Sequence, residues 1–316
     1  MGDVIHNLPI IDDIRTHFPD AEIDWVVEEN FIEIVKLHPM VNHAIPIAFR
    51  RWRRNLFSRK TYQEIICSLK NLREKKYDYI IDTQGLIKSA LICLCTHGVR
   101  IGRDWQSNRE AFASLFYQRR FHVEFNQHAV NRGRQLTAMA LGYPVPNTPP
   151  KYGLPTENMA SNIEAGLGLP KKYVMCLHAT SRNSKLWPIQ NWIQLGKALE
   201  KKGFILVLPR ANNIELERAK TIAKSVSNSI ILPKLGLIKL AEITAGSKAA
   251  IGVDTGLIHL SVALKIPSIA IYIDSDPNLN GAYAAENSVA INIGGRSLSP
   301  SVDDVLHAFS EFNISV

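Results

Sequence analysis

The residues of this 316-residue chain best suited to chemistry lie where apolar runs end. In Ala249-Ala250-Ile251-Gly252-Val253-Asp254-Thr255-Gly256-Leu257-Ile258-His259-Leu260, a buried-strand pattern stops at an Asp-Thr-Gly turn and restarts as a helix. Such a turn sets unpaired backbone amides and the positive end of a helix dipole at the carboxyl edge of a sheet, where α/β folds bind phosphates. Gly256 leaves room for close backbone approach by a diphosphate. An ordinary helix capped by Asp254 or Thr255 accounts for the same residues equally well. His259 falls one turn after Thr255 on the same face, as a core histidine or as a ligand contact.

A second group, His178-Ala179-Thr180-Ser181-Arg182-Asn183-Ser184-Lys185, also follows a strand pattern and gathers hydroxyls, Arg182 and Lys185. These are the groups that hold phosphate oxygens and neutralise a departing nucleotide, although a solvated basic loop has the same composition. Glu215 opens a later helix, where a carboxylate can accept from ribose hydroxyls or simply favour the helix N-terminus. Arg50-Arg51-Trp52-Arg53-Arg54 is dense enough in charge to require a compensating anion, such as a phosphorylated or carboxylated acceptor, or nucleic acid. Asp82-Thr83-Gln84-Gly85-Leu86-Ile87-Lys88 is another strand-to-helix turn, and Asp104, Trp105 and Arg109 form a weaker polar and aromatic group. Asp3, near the start of the first helix, reads as a cap or as a general base for an acceptor hydroxyl.

Positioning these groups requires alternating strands and helices, the grammar of parallel α/β units. Strands are expected at 23–27, 44–48, 79–82, 173–178, 204–209, 249–254 and 267–272. Helices are expected at 3–18, 62–75, 86–95, 129–141, 189–201, 214–225, 237–244, 257–264 and 302–312. In the first helix Val4, Leu8, Ile11 and Ile14 mark one face. The proline-rich stretch 142–150 separates two Rossmann-like halves. Lys plus Arg exceed Asp plus Glu by 37 to 29, which favours anionic partners. Cys67, Cys93, Cys95 and Cys176 sit in apolar runs at no metal-ligand spacing, as buried free thiols of a reducing compartment do. No apolar run reaches bilayer-spanning length, and the absence of a Gly-x-Gly-x-x-Gly turn disfavours a dinucleotide-dependent oxidoreductase.

Read together, Met1-Gly2-Asp3-Val4-Ile5-His6, Asp24-Trp25-Val26-Val27-Glu28-Glu29, the arginine cluster, Asp82–Ala90, Asp104-Trp105-Gln106, Leu177–Thr180 and Asp254–Leu260 resemble the ADP-heptose:lipopolysaccharide heptosyltransferases of glycosyltransferase family 9, nearly end to end. The resemblance implies an α/β GT-B fold, two Rossmann-like domains facing across a cleft. Residues 1–148 would bind acceptor, 149–300 would bind donor, and 301–316 would form a final helix packing back on the N-terminal domain. It implies inverting transfer of heptose from ADP-heptose to Kdo of the lipid A inner core, with no metal or other cofactor and no nucleic acid partner. The setting would be the cytoplasm, or peripheral attachment to the inner membrane.

By matching motif, Asp3 would be the general base, Thr180 and Lys185 would contact donor phosphate, and Glu215 would hold the ribose. Asp254, Thr255, Gly256 and His259 would line the donor site; Arg50, Arg51, Arg53, Arg54, Lys88 and Arg109 would meet the anionic acceptor. Family members normally begin with a short apolar strand and a Lys-Thr-Ser-Ser-like turn before Met-Gly-Asp. The first strand of the N-terminal sheet is therefore expected to be missing. A non-catalytic nucleotide-sugar-binding protein is the alternative reading.

Overall fold

The computed structural model describes residues 1–55, 57–161 and 168–314. Contacts divide the chain into two units, Met1–Ile5 with Pro149–Val316 and His6–Thr148.

In the first unit, strands β6 (Tyr173–Leu177), β7 (Ile205–Leu208), β8 (Ser229–Ile231), β9 (Ala249–Val253), β10 (Ser268–Tyr272) and β11 (Ala290–Gly294) form one sheet in the order β11-β10-β9-β6-β7-β8. All five pairings are parallel. β6, β9 and β10 are buried at every position, as their unbroken apolar runs require of a sheet covered on both faces. The order is that of a doubly wound fold, and it reverses between β6 and β9, so the crevice outside their carboxyl ends is the switch point. The connecting helices are α7 (Thr156–Ser161), α8 (Ile189–Lys201), α9 (Asn213–Ala223), α10 (Leu237–Ala245), α11 (Gly256–Ala263), α12 (Pro277–Asn280) and α13 (Val302–Ser310).

The final helix joins the core of the C-terminal unit. Val305, Ala308 and Phe309 of α13 are buried in the core of this C-terminal unit, with Phe309 edge-on to Phe204 at 5.4 Å. Its apolar stripe packs on its own unit's sheet. The first five residues of the chain cluster with 149–316.

The second unit holds most of α1 (Gly2–His17), then α2 (Ile32–Lys36), α3 (Phe49–Trp52), α4 (Arg59–Glu74), α5 (Ile87–Leu94) and α6 (Ala129–Leu141). Its strands fall into two parallel sheets, β1 (Asp24–Glu28) with β2 (His43–Ile47), and β3 (Lys76–Ile81), β4 (His97–Arg103) and β5 (Arg119–Phe121) in that order. Side chains join the two. The nearly buried Asp24 carboxylate accepts from Tyr77 Oη at 2.8 Å and Lys75 Nζ at 3.2 Å, both at the start of β3, and lies 2.8 Å from His43 Nδ1. Burial raises the Asp24 pKa, and these three partners outweigh that and hold it low. Cys67 is exposed, contrary to expectation, because α4 turns Thr61 and Leu72 inward and leaves position 67 on its outer side.

α1 and α6 are locked by a buried ion pair. Arg134 donates from Nε and Nη2 to Asp13 at 2.7 and 2.9 Å, and from Nη1 to Thr148 O at 2.7 Å. Arg134→Ala would strand the Asp13 carboxylate in the interior. It is expected to destabilise the protein by about 3–5 kcal/mol in urea unfolding, where a loss below about 1 kcal/mol would refute the lock.

Candidate functional site

The carboxyl ends of β6 and β9 bring together six of the residues singled out above. Lys185 Nζ lies 2.5 Å from Asp254 Oδ2, Ser275 Oγ donates to the same oxygen at 2.6 Å, and Thr180 Oγ1 donates to the Asp254 carbonyl at 3.0 Å. The Lys185 and Asp254 side chains are only 18% and 15% exposed. Burial raises the Asp254 pKa, but His259, Lys185 and Ser275 overcome it and hold the carboxyl well below the usual range. Of these three, Lys185 and Ser275 are at hydrogen-bond distance, and His259 Nε2 stands farther off, 3.9 Å from Oδ1. Asp254 is thus an ionised anchor whose charge is cancelled by Lys185. A bare carboxylate here would repel a phosphate, whereas this pair leaves two ammonium protons of Lys185 to donate outward.

Thr255 is the N-cap of α11 in extended conformation, but its side chain makes no capping hydrogen bond. The ordinary-cap reading therefore fails at this turn. Among the described residues no side chain is seen to accept from the first amides of α11, as suits an anion cradle. A Cβ on Gly256 would lie 2.6 Å from Met1 Cβ, and one on Gly2 would lie 3.4 Å from the His259 ring. The start of α1 is therefore packed against the start of α11, and both positive helix ends meet at one place. Asp3, exposed, sits in the first turn of α1 beside them.

Glu215 stands one strand away, after β7, inside a capping arrangement. Its carboxylate accepts from Ala211 N at 2.6 Å and Asn212 Nδ2 at 2.9 Å, while Asn212 Oδ1 accepts from Glu215 N at 2.9 Å. One turn further along α9, Arg218 donates to His178 O at 3.0 Å and also to Trp187 O. These carbonyls are the two ends of the loop that carries Thr180 and Lys185, so one guanidinium fixes both. Burial, and then the charge of Arg218, push the His178 pKa down to about 4, so its ring is neutral near pH 7.

Sequence reasoning missed Arg218 and Ser275. Arg218 looks like a solvated helix charge among Glu215 and Glu217. Ser275 follows β10 at the same sheet edge as Asp254, and extending the strand-end rule to that strand finds it.

In the His6–Thr148 unit the arginine cluster is not four equivalent charges. Arg51 donates to both Glu29 oxygens at 3.0 Å and to Glu64 at 2.6 Å, and Trp52 Nε1 donates to the same Glu64 oxygen at 3.1 Å. The anions expected to relieve repulsion are thus partly the chain's own. Arg50 lies over Phe31 at 5.4 Å, and Arg53 and Arg54 are exposed. The segments that carry Lys88 and Arg109 meet at a different place. Gly85, with φ +65°, packs so tightly on Asn108 that a Cβ would fall 2.3 Å from its Oδ1, and Glu110 Oε2 caps Ile87 N at 2.7 Å.

The family model for glycosyltransferase family 9 (heptosyltransferase) matches residues 67–304. Lipopolysaccharide heptosyltransferase 1 of Escherichia coli is 40% identical over 314 residues, covering 99% of this chain and 95% of that protein. Its Pseudomonas aeruginosa counterpart is 41% identical over 284 residues, covering 90% and 79%. The solved structure of E. coli heptosyltransferase WaaC with ADP superposes with a TM-score of 0.89 at 39% identity, covering 99% of this chain and 97% of that one. The same enzyme with ADP-2-deoxy-2-fluoro heptose gives 0.87 at 37%, covering 98% and 96%.

Proposed function

Because this chain belongs to glycosyltransferase family 9, with the α/β GT-B architecture of that group, we propose that it transfers heptose from ADP-heptose in lipopolysaccharide core biosynthesis. The observation that carries this reading is the start of α11, a helix N-terminus without a side-chain cap beside a charge-cancelled Lys185–Asp254 pair. That arrangement suits a diphosphate better than any neutral ligand.

In the proposed reaction an acceptor hydroxyl attacks the anomeric carbon of heptose from the face opposite ADP. The C–O bond to the diphosphate breaks, and the configuration inverts. Asp3 takes the hydroxyl proton. Lys185 and the α11 amides receive the negative charge that grows on the leaving diphosphate. Thr180 holds the turn through the Asp254 carbonyl, and Glu215 has acceptor capacity left for ribose hydroxyls. The acceptor is Kdo on lipid A, an anion that Arg50, Arg53, Arg54, Lys88 and Arg109 are suited to grip, with Arg51 as their internal brace. Its lipid anchor places the enzyme at the cytoplasmic face of the inner membrane. No described helix is long and apolar enough to cross a membrane.

The test is ADP release from ADP-heptose with Kdo-lipid A, paired with mass analysis of the acceptor. Addition of one heptose per acceptor is expected. Tight ADP-heptose binding without transfer would instead favour a non-catalytic nucleotide-sugar-binding protein.

A further inference from the structure

Helix α5 turns Ala90 and Cys93 inward and leaves Ile87, Leu91 and Leu94 exposed along one side, at a spacing of four and three residues. Packed beside it, the 3-10 helix Ala111–Phe116 exposes Phe112 at 61% and Leu115 at 58%. Trp105, 48% exposed, meets Phe112 edge-on at 5.0 Å. Beneath them lies a core of Ala90, Ala113 and Tyr117, with Phe116 packed against it. Six large apolar side chains are thus exposed on two elements packed together and on Trp105 set against them, a cluster that soluble surfaces seldom carry without a partner.

The rim of this face is basic. Arg73 donates to Cys95 O at the end of α5 (3.2 Å), Arg100 to Phe116 O (3.0 Å) and Arg120 to Tyr117 O (3.2 Å), and Arg119 is exposed beside Arg120. The neighbouring Glu110 is already engaged with the first amide of α5. A second copy of this chain would set the same arginines against each other, and a nucleic acid would gain nothing from Leu91, Leu94 or Leu115. Aliphatic side chains with an aromatic at the border and a cationic rim match one environment, the headgroup and upper acyl region of an anionic bilayer.

We propose that this face, α5 with the Ala111–Phe116 helix, seats the protein on anionic lipid. The proposal gains its purpose from the reading that the acceptor is lipid-borne, but lipid binding itself needs neither donor nor acceptor. It is therefore measured separately, by co-sedimentation of the full chain with vesicles of phosphatidylcholine with and without phosphatidylglycerol. Wild type is expected to bind the anionic vesicles and to be released by salt. Leu91→Ser with Leu115→Ser should weaken binding about 10–100-fold, and Arg119→Gln with Arg120→Gln about tenfold. Folding of each variant is checked by its unfolding midpoint, and by unchanged turnover of a deacylated, water-soluble Kdo acceptor. Wild-type indifference to both vesicle types would overturn the proposal. So would undiminished binding by both folded variants, or loss of a wild-type dimer in place of lipid binding. Failure of heptose transfer with lipid binding intact would strike the function and leave the docking face standing.

Discussion

Asp3→Asn is expected to lower kcat for heptose transfer by about 100–10,000-fold while leaving ADP affinity within about twofold of wild type. The substitution keeps the shape of the side chain and removes its capacity to take a proton. It also places a favourable charge in the first turn of α1, worth about 0.3–1 kcal/mol, so a small fall in unfolding midpoint will accompany the effect without explaining it. The assignment rests on place: Gly2 packs on the His259 ring and Met1 on Gly256, which brings the first turn of α1 to the phosphate turn. Single-turnover rates at saturating donor and acceptor, with calorimetric titration of ADP, separate chemistry from binding. Turnover within about threefold of wild type would remove Asp3 from the reaction.

Lys185→Ala should act on both function and fold. Loss of a cation that stabilises the leaving diphosphate is expected to cost about 100–1,000-fold in kcat/KM. The stranded Asp254 carboxylate should cost about 3–5 kcal/mol of stability, because a charge in this largely buried turn would have lost its counter-ion. If the two residues work as a pair, adding Asp254→Asn to Lys185→Ala will recover much of the stability and none of the activity. Full additivity in that cycle would show that the 2.5 Å contact contributes nothing to folding. Asp254 also predicts an acid response. Its pKa in the folded protein lies below the unfolded value near 3.8, so its contribution is complete above about pH 4 and is lost as pH falls through the folded pKa. Asp254→Asn should flatten that part of the stability profile.

The legible parts of this molecule were those in which local pattern and tertiary role agree. The helices Ala129–Leu141 and Ile189–Lys201 have the bounds that periodicity gives them, and β6, β9 and β10 announce themselves as unbroken apolar runs. β4, His-Gly-Val-Arg-Ile-Gly-Arg, was illegible because two glycines and two arginines interrupt its apolar content. Its pairing with β3 and β5 is set by tertiary neighbours that no local window contains. β8, three residues long, and β11, with intermediate or exposed positions throughout, failed for the same reason.

At the candidate site the strand-end rule located Asp254, Thr180 and Lys185, since a parallel sheet puts the carboxyl ends of β6 and β9 on one edge. What that rule does not carry is which partner each side chain prefers. Arg51 looked like a ligand group and is bound to Glu29 and Glu64, which lie 22 and 13 residues away in sequence. The destination of α13 was likewise undetermined, because an amphipathic helix states that it has an apolar face and not which sheet will cover it.

The clasp of Arg218 on His178 and Trp187 has a consequence for the thermodynamics of recognition. A phosphate-gripping loop that is slack in the free protein must surrender its motional freedom each time a ligand arrives, and that surrender is subtracted from affinity. Here both loop ends are pinned during folding, from the same helix that bears Glu215 one turn earlier. The ordering is completed once, when the chain folds, so in the proposed function the nucleotide would meet a frame in which the residues proposed for its ribose and phosphate are already spaced, and more of its interaction energy would be expressed as binding.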